Sequence, residues 1–173
     1  MTTLYYITRS YPSYQISGGS LMREAQVVFF EKHFSKVVVV MPNYATNTLV
    51  CKNNVIQIPF KYNERFANLM ERVGIYEDSL DAWVKSAYLY LKNIITSNDI
   101  LFSTCGGELA SMKLGSKLKE FCNCTHVVNF HDPLDYSRVN GKVVDRRLHV
   151  IRDPLEKKYL HYVDLVITSS TVH

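Results

Sequence analysis

The chain has 173 residues, 47% of them hydrophobic and 21% charged, which is room for one α/β domain with a real core and excludes a disordered or low-complexity chain. Its longest purely apolar run, Val37 to Met41, is stopped by Pro42, far short of the roughly 20 residues of a membrane span. A net charge of +4 is too small to point to nucleic acid, and an opening without a basic start or cleavage site predicts a cytoplasmic protein.

Thr3 to Thr8 is β-branched and aromatic and reads as a strand. A Tyr-Pro-Ser-Tyr-Gln-Ile-Ser-Gly-Gly loop follows, then a helix from Ser20 to His33 whose apolar face is marked by Leu21, Ala25, Val28 and Phe29 at three- and four-residue spacing. Lys36 to Met41 is a strand with valine on both faces, which places it centrally. Asn53-Asn54 divides Thr48 to Cys51 from Val55 to Phe60, the pattern of a small hairpin or edge strand.

Helices are predicted over Asn63 to Val73 and Leu80 to Thr96, separated by Gly74 and the cap signals Glu77-Asp78-Ser79, with Trp83, Ala87, Leu91 and Ile94 or Ile95 inward. Ile100 to Thr104 is a strand that meets Gly106-Gly107 and a helix from Glu108 to Phe121. Thr125 to Phe130 is the next strand, ended by His131-Asp132-Pro133, and Leu134 to Val150 reads as irregular or weakly extended. Asp153-Pro154-Leu155-Glu156 carries helix-start signals for a helix to Tyr162, and Val163 to Thr168 is a last strand. Strands alternating with helices define an α/β fold with a doubly wound, mostly parallel sheet and helices on both faces, residues 1 to 173 forming one domain.

Such sheets bind ligands beyond the carboxyl ends of their strands, where strand order reverses. If the order is the common 3-2-1-4-5-6, the first strand and the Ile100 strand meet there, and Gly18-Gly19 and Gly106-Gly107 would flank one crevice. Each turn opens a helix and suits an anion, because glycine lets backbone amides come close and a helix amino terminus carries partial positive charge. The alternative is that these glycines make turns of positive φ. Neither turn has a dinucleotide or Walker spacing.

His131 and Asp132 end a strand at the same rim, where a histidine can exchange protons near neutral pH; the other reading is a strand end and a turn. Cys122, Cys124 and His126 form a C-x-C-x-H string, but zinc needs wider cysteine spacing and a fourth ligand, so no metal is expected. Cys51 and Cys105 read as small apolar strand residues. Lys113, Lys117 and Lys119 on the Glu108 helix offer a basic surface for peripheral membrane contact or simply a solvated face. Between Arg138 and Lys158 seven Lys/Arg stand against three Asp/Glu, a stretch suited to phosphate or to solvent.

The loop ending Ser17-Gly18-Gly19-Ser20, the valine strand ending Met41-Pro42-Asn43-Tyr44, Asn129-Phe130-His131-Asp132-Pro133 and Asp164-Leu165-Val166-Ile167-Thr168-Ser169-Ser170 resemble the amino-terminal domain of GT-B glycosyltransferases of the glycosyltransferase-four type. The resemblance covers nearly the whole chain; Lys32-His33-Phe34-Ser35 departs from it where the family has a glycine. It implies one of two facing Rossmann-like domains that move a sugar from a nucleotide-sugar to a glycan or lipid-linked acceptor, with retention, no metal and no cofactor beyond the nucleotide-sugar co-substrate. By position, Gly18, Gly19 and Ser20 would meet the donor diphosphate, His131 the donor sugar, and Gly106, Gly107, Glu108 and Asp132 the acceptor. The family's carboxy-terminal donor-binding domain has no counterpart in these residues, so the resemblance implies activity only with a second domain or subunit. A non-catalytic binding or interaction module of the same fold is the competing expectation.

Overall fold

The computed structural model describes residues 2–12, 17–61, 63–132, 138–139, 142–143 and 146–168; at 72, 132, 138, 139, 142, 143 and 146–149 it describes the backbone alone. In chain order the elements are β1 (Leu4–Ile7), α1 (Gly18–Glu31), β2 (Val37–Asn43), β3 (Val50–Lys52), β4 (Val55–Pro59), α2 (Glu64–Arg72) and α3 (Asp81–Leu91). They continue with β5 (Ile100–Gly106), α4 (Ala110–Cys122), β6 (Thr125–Asp132), β7 (Arg138–Val139), β8 (Lys142–Val143), α5 (Arg146–Leu160) and β9 (Leu165–Thr168).

Seven strands form one sheet in the order β3-β4-β2-β1-β5-β6-β9, all neighbours parallel except the β3–β4 hairpin. Without β3 this is the common 3-2-1-4-5-6 order, with the reversal between β1 and β5. The hairpin turns on Asn53 and Asn54, at φ 51° and 59°, the left-handed pair that matches strand twist. β2 is buried along its whole length, as its valines require. β9 lies at the edge with all four side chains exposed.

One face of the sheet is covered by α1 and the turn after it, where Val27 and Phe30 of the helix and Phe34 of the turn pack against Tyr6, Val39 and Phe102. On the other face α3 and α4 bring Trp83, Ala87, Leu91, Leu114 and Leu118 onto Tyr5, Ile7, Val38 and Val40. Tyr159 and Leu155 of α5 join α4 over Cys105, Val128 and Phe130. Asp78 fixes the start of both α3 and α4: its Oδ1 accepts from Leu80 N–H and its Oδ2 from Leu109 N–H, each at 2.8 Å. Helix α4 lies close to the sheet because residue 115 is glycine; a Cβ there would fall 2.2 Å from His126 Nε2 and 2.6 Å from Ser103 Oγ.

Several expectations are corrected. The apolar stripe Leu21, Ala25, Val28 and Phe29 faces outward, Val28 being 47% and Phe29 57% exposed against 4% for Val27. The inward stripe is Ser20, Arg23, Val27, Phe30 and Phe34, and its two polar members disguised it: Arg23 points in because its guanidinium has partners at the sheet rim. Helix α3 ends at Leu91 rather than Thr96, whose amide and hydroxyl both donate to Asp99 Oδ2, at 2.8 and 2.9 Å.

Helix α5 begins at Arg146 and carries Pro154 inside it. Asp153 therefore caps nothing and pairs with Lys157 one turn on, at 2.8 Å. Cys51 is exposed rather than packed. The predicted basic face of α4 loses Lys113, which is buried with its Nζ 2.6 Å from both Glu77 and Asp81, while Lys119 pairs with Asp164 at 2.9 Å. Among the described residues no helix is long and apolar enough to cross a membrane.

Candidate functional site

The reversal between β1 and β5 collects most of the residues that the sequence singled out. Ser17 caps α1 through a reciprocal pair: its Oγ accepts from Ser20 N–H at 3.2 Å, and its own N–H donates to Ser20 Oγ at 2.8 Å. The hydroxyl of Ser20 is thus engaged within the helix start. Among the described residues nothing accepts from the amides of Gly18 and Gly19. The first turn of α1 holds no acidic residue, so the positive end of the helix is not neutralised from within.

Gly18 and Gly19 are not turn glycines. Neither has a positive φ; among the described residues a Cβ at Gly18 would meet nothing within 4 Å, and one at Gly19 would make an ordinary 3.5 Å contact with Arg23 Nη1. Glycine inside a helix is less stable than alanine by about 0.5–1 kcal/mol, so folding does not account for the pair. At Gly107 the turn reading holds, since φ is 88°.

Arg23 was missed by the sequence reading; a charged residue on the Val27–Phe30 stripe was the available signal. Its Nη1 donates to Ser10 Oγ at 2.7 Å and its Nη2 stands 3.7 Å from Glu108 Oε1. Arg9, half exposed just after β1, places Nη1 3.7 Å from Glu108 Oε2, and the same oxygen accepts from Gly106 N–H at 3.1 Å. Glu108 Oε1 and Arg23 Nε are buried with no hydrogen-bond partner. Burial raises the Glu108 pKa above the ordinary carboxylate range, and Arg9 and Arg23 oppose that rise. The rim therefore joins Gly19, Arg23, Glu108 and Gly106 into one polar cluster with two guanidinium groups and one carboxyl.

His131 lies one strand over. The β5–β6 register pairs Phe130 with Cys105 but Asp132 with Gly106, which leaves His131 as the extra residue of a bulge at the carboxyl edge, a device that re-aims a side chain. It is half-buried. The Asp132 side chain and the loop after it lie outside the described residues. Asn43, at the end of β2, is fully used in its own turn: Oδ1 accepts from Ala45 and Thr46 N–H at 3.0 Å, and Nδ2 donates to Thr46 Oγ1 and Thr48 O at 2.7 and 2.9 Å.

The remaining motifs lie elsewhere. His126 is buried, 2.9 Å from Ser103 Oγ and 3.1 Å from Tyr162 O through its two ring nitrogens, and its desolvation lowers the pKa to about 4, so it is a packing histidine. The described residues hold no cluster of three metal-binding side chains. A groove of about 600 Å³ between α4 and α5 is lined by Lys117, Lys157, Lys158 and His161, but Lys157 pairs with Asp153 and Lys158 with Glu77, both at 2.8 Å. Arg152 likewise pairs with Glu71 at 2.6 Å, so this part of the Arg138 to Lys158 stretch is engaged within the fold. The side chains of Arg138, Lys142, Arg146 and Arg147 lie outside the described residues.

Comparison with models of protein families and with curated proteins finds no match for the chain.

Proposed function

We propose that this chain is the amino-terminal, acceptor-side domain of a GT-B glycosyltransferase that moves a sugar from a nucleotide-sugar to a glycan or lipid-linked acceptor, with retention and without a metal, in partnership with a donor-binding domain. The observation that carries the reading is the open amino terminus of α1: two glycines inside the helix start, two amides without acceptors among the described residues, and the Arg23 guanidinium beside them. Donors fixed in this way stabilise the charge that builds on a departing diphosphate without reorganising as it forms. Arg9 adds a second positive group at the solvent side of the crevice.

Glu108, with Gly106 and Gly107, would line the acceptor side. A carboxyl with a raised pKa and an unused oxygen accepts a hydrogen bond from a sugar hydroxyl, and Arg9 and Arg23 favour its ionised form. His131 would stand toward the donor sugar, on the strand beside β5.

The test is titration of the isotope-labelled chain with a panel of UDP-, GDP- and ADP-sugars, followed by amide shifts. Carried to about 10 mM it detects binding as weak as a Kd of about 1 mM, near −4 kcal/mol. One nucleotide should shift Gly18, Gly19 and the residues from Gly106 to Glu108. Shifts confined to the α4–α5 groove, or none with any donor, contradict the proposal. Binding at the rim with no release of nucleoside diphosphate, even when a donor-binding domain is supplied, favours the non-catalytic module.

A further inference from the structure

Of the four thiols in the chain, two meet. Cys122 is the last residue of α4 and Cys124 immediately precedes β6, with Asn123 between them in the left-handed region at φ 53° and ψ 33°. That single residue folds the backbone back at the helix end, and the two Sγ atoms stand 3.3 Å apart. Cys122 Sγ is also 2.9 Å from the Leu118 carbonyl oxygen. Cys122 is partly exposed and Cys124 fully buried; Cys105 is buried in β5 and Cys51 exposed on β3, both outside this contact.

We propose that Cys122 and Cys124 form a reversible redox site, closed to an intrachain disulfide by a small disulfide oxidant of the glutathione type. A disulfide bond is about 2.05 Å long, so the sulfurs must approach by little over 1 Å from a 3.3 Å contact. The partly exposed Cys122, as its thiolate, attacks one sulfur of the oxidant, forming a mixed disulfide and releasing one glutathione thiolate. The Cys124 thiol then gives up its proton and attacks Cys122 Sγ, releasing the second glutathione. The two thiols thus lose two protons and two electrons, and the oxidant's sulfur–sulfur bond accepts both electrons.

A ring spanning one intervening residue is strained, and strained disulfides are the easily reduced ones. The bond therefore suits switching better than bracing. Burial, together with the neighbouring Cys122 sulfur, pushes the Cys124 pKa up to about 12. Only the thiolate attacks, so ring closure is the slow step at neutral pH and accelerates about tenfold per pH unit from pH 7 to pH 9.

The experiment incubates the full chain in glutathione buffers of graded redox ratio, quenches with acid, alkylates the remaining thiols and reads intact mass and peptide maps. The chain should lose the mass of two hydrogens, keep Cys51 and Cys105 alkylatable, and yield a peptide linked between Cys122 and Cys124. Cys51→Ser should close like the unaltered chain. Cys124→Ser should trap one glutathione on Cys122, and Cys124→Ala gives the same trap if serine disturbs the apolar site. Glutathione that stays on Cys122 at pH 9 without closure, a bond that recruits Cys51, or a chain still fully reduced at the most oxidising ratio overturns the proposal.

Discussion

Arg23 Nη2 lies 3.7 Å from Glu108 Oε1, and this buried pair ties the first turns of α1 to the β5–α4 turn. Removing one member of a buried pair leaves the other charge uncompensated, at a cost of about 3–5 kcal/mol. Arg23→Met should lower stability by about 3 kcal/mol at pH 7. A carboxyl with a raised pKa binds protons more tightly folded than unfolded, so Glu108 costs stability as pH rises through its folded titration range. Loss of Arg23 raises that pKa further. The deficit of Arg23→Met should therefore shrink between pH 7 and pH 5, read as the gap between urea midpoints; a gap that is constant or widens toward pH 5 rejects the coupling.

Glu77 behaves in the opposite sense. Burial works against its carboxylate, but hydrogen bonds from Lys113, Lys158 and Tyr159 outweigh that and hold the pKa down to about 2. Its Oε2 lies 2.6 Å from Lys113 Nζ and its Oε1 2.8 Å from Lys158 Nζ, so the residue joins the loop before α3 to α4 and α5. A depressed carboxyl contributes stability that is full above the ordinary carboxylate range and lost as pH falls toward 2. Glu77→Gln should cost about 1–2 kcal/mol at pH 7, allowing for partial exposure, and almost nothing near pH 2. Acid titrations of both proteins followed by circular dichroism should converge at the acid end; parallel curves would show that the carboxylate is not the source.

How much of this was readable beforehand differs by level. The alternation of strands and helices, the central valine strand and the Asn53-Asn54 turn followed from runs and breakers along the chain, because parallel strands are buried on both faces and carry that in their composition. The strand order did not follow from them and is the common one for such sheets. Which face of α1 is inward did not follow either. Two apolar stripes share that helix, and the one broken by Ser20 and Arg23 is the one that packs. Arg23 and Arg9 escaped for the same reason: what makes them site residues is their reach to Ser10 and Glu108, about a hundred residues apart in the chain, which no local spacing encodes.

The two stripes give a direct check on α1. Val27 is buried against Tyr6 and Phe102, whereas Val28 is half exposed. Val27→Ala should cost about 2 kcal/mol, since it removes buried methyl groups and leaves a cavity. Val28→Ala should change stability by less than about 0.5 kcal/mol, because surface substitutions away from specific contacts do so. Urea denaturation of the two variants decides it, and equal losses would return the outward stripe to the core.

Gly19 separates folding from function most sharply. A methyl group there meets Arg23 Nη1 at an ordinary 3.5 Å and requires no backbone change. Alanine is the better helix former, so Gly19→Ala should raise stability by about 0.5–1 kcal/mol. If the glycine is present so that a diphosphate can approach the open amides, the same methyl group stands in the ligand's path, and the nucleotide-sugar shifts at Gly18 and Gly106 to Glu108 should weaken at least tenfold in apparent affinity, about 1.4 kcal/mol. Thermal unfolding and the donor titration on one preparation report both effects. A variant that is stabilised yet binds as before makes the glycine incidental, and one that is destabilised shows that α1 needs it for packing the static contacts do not reveal.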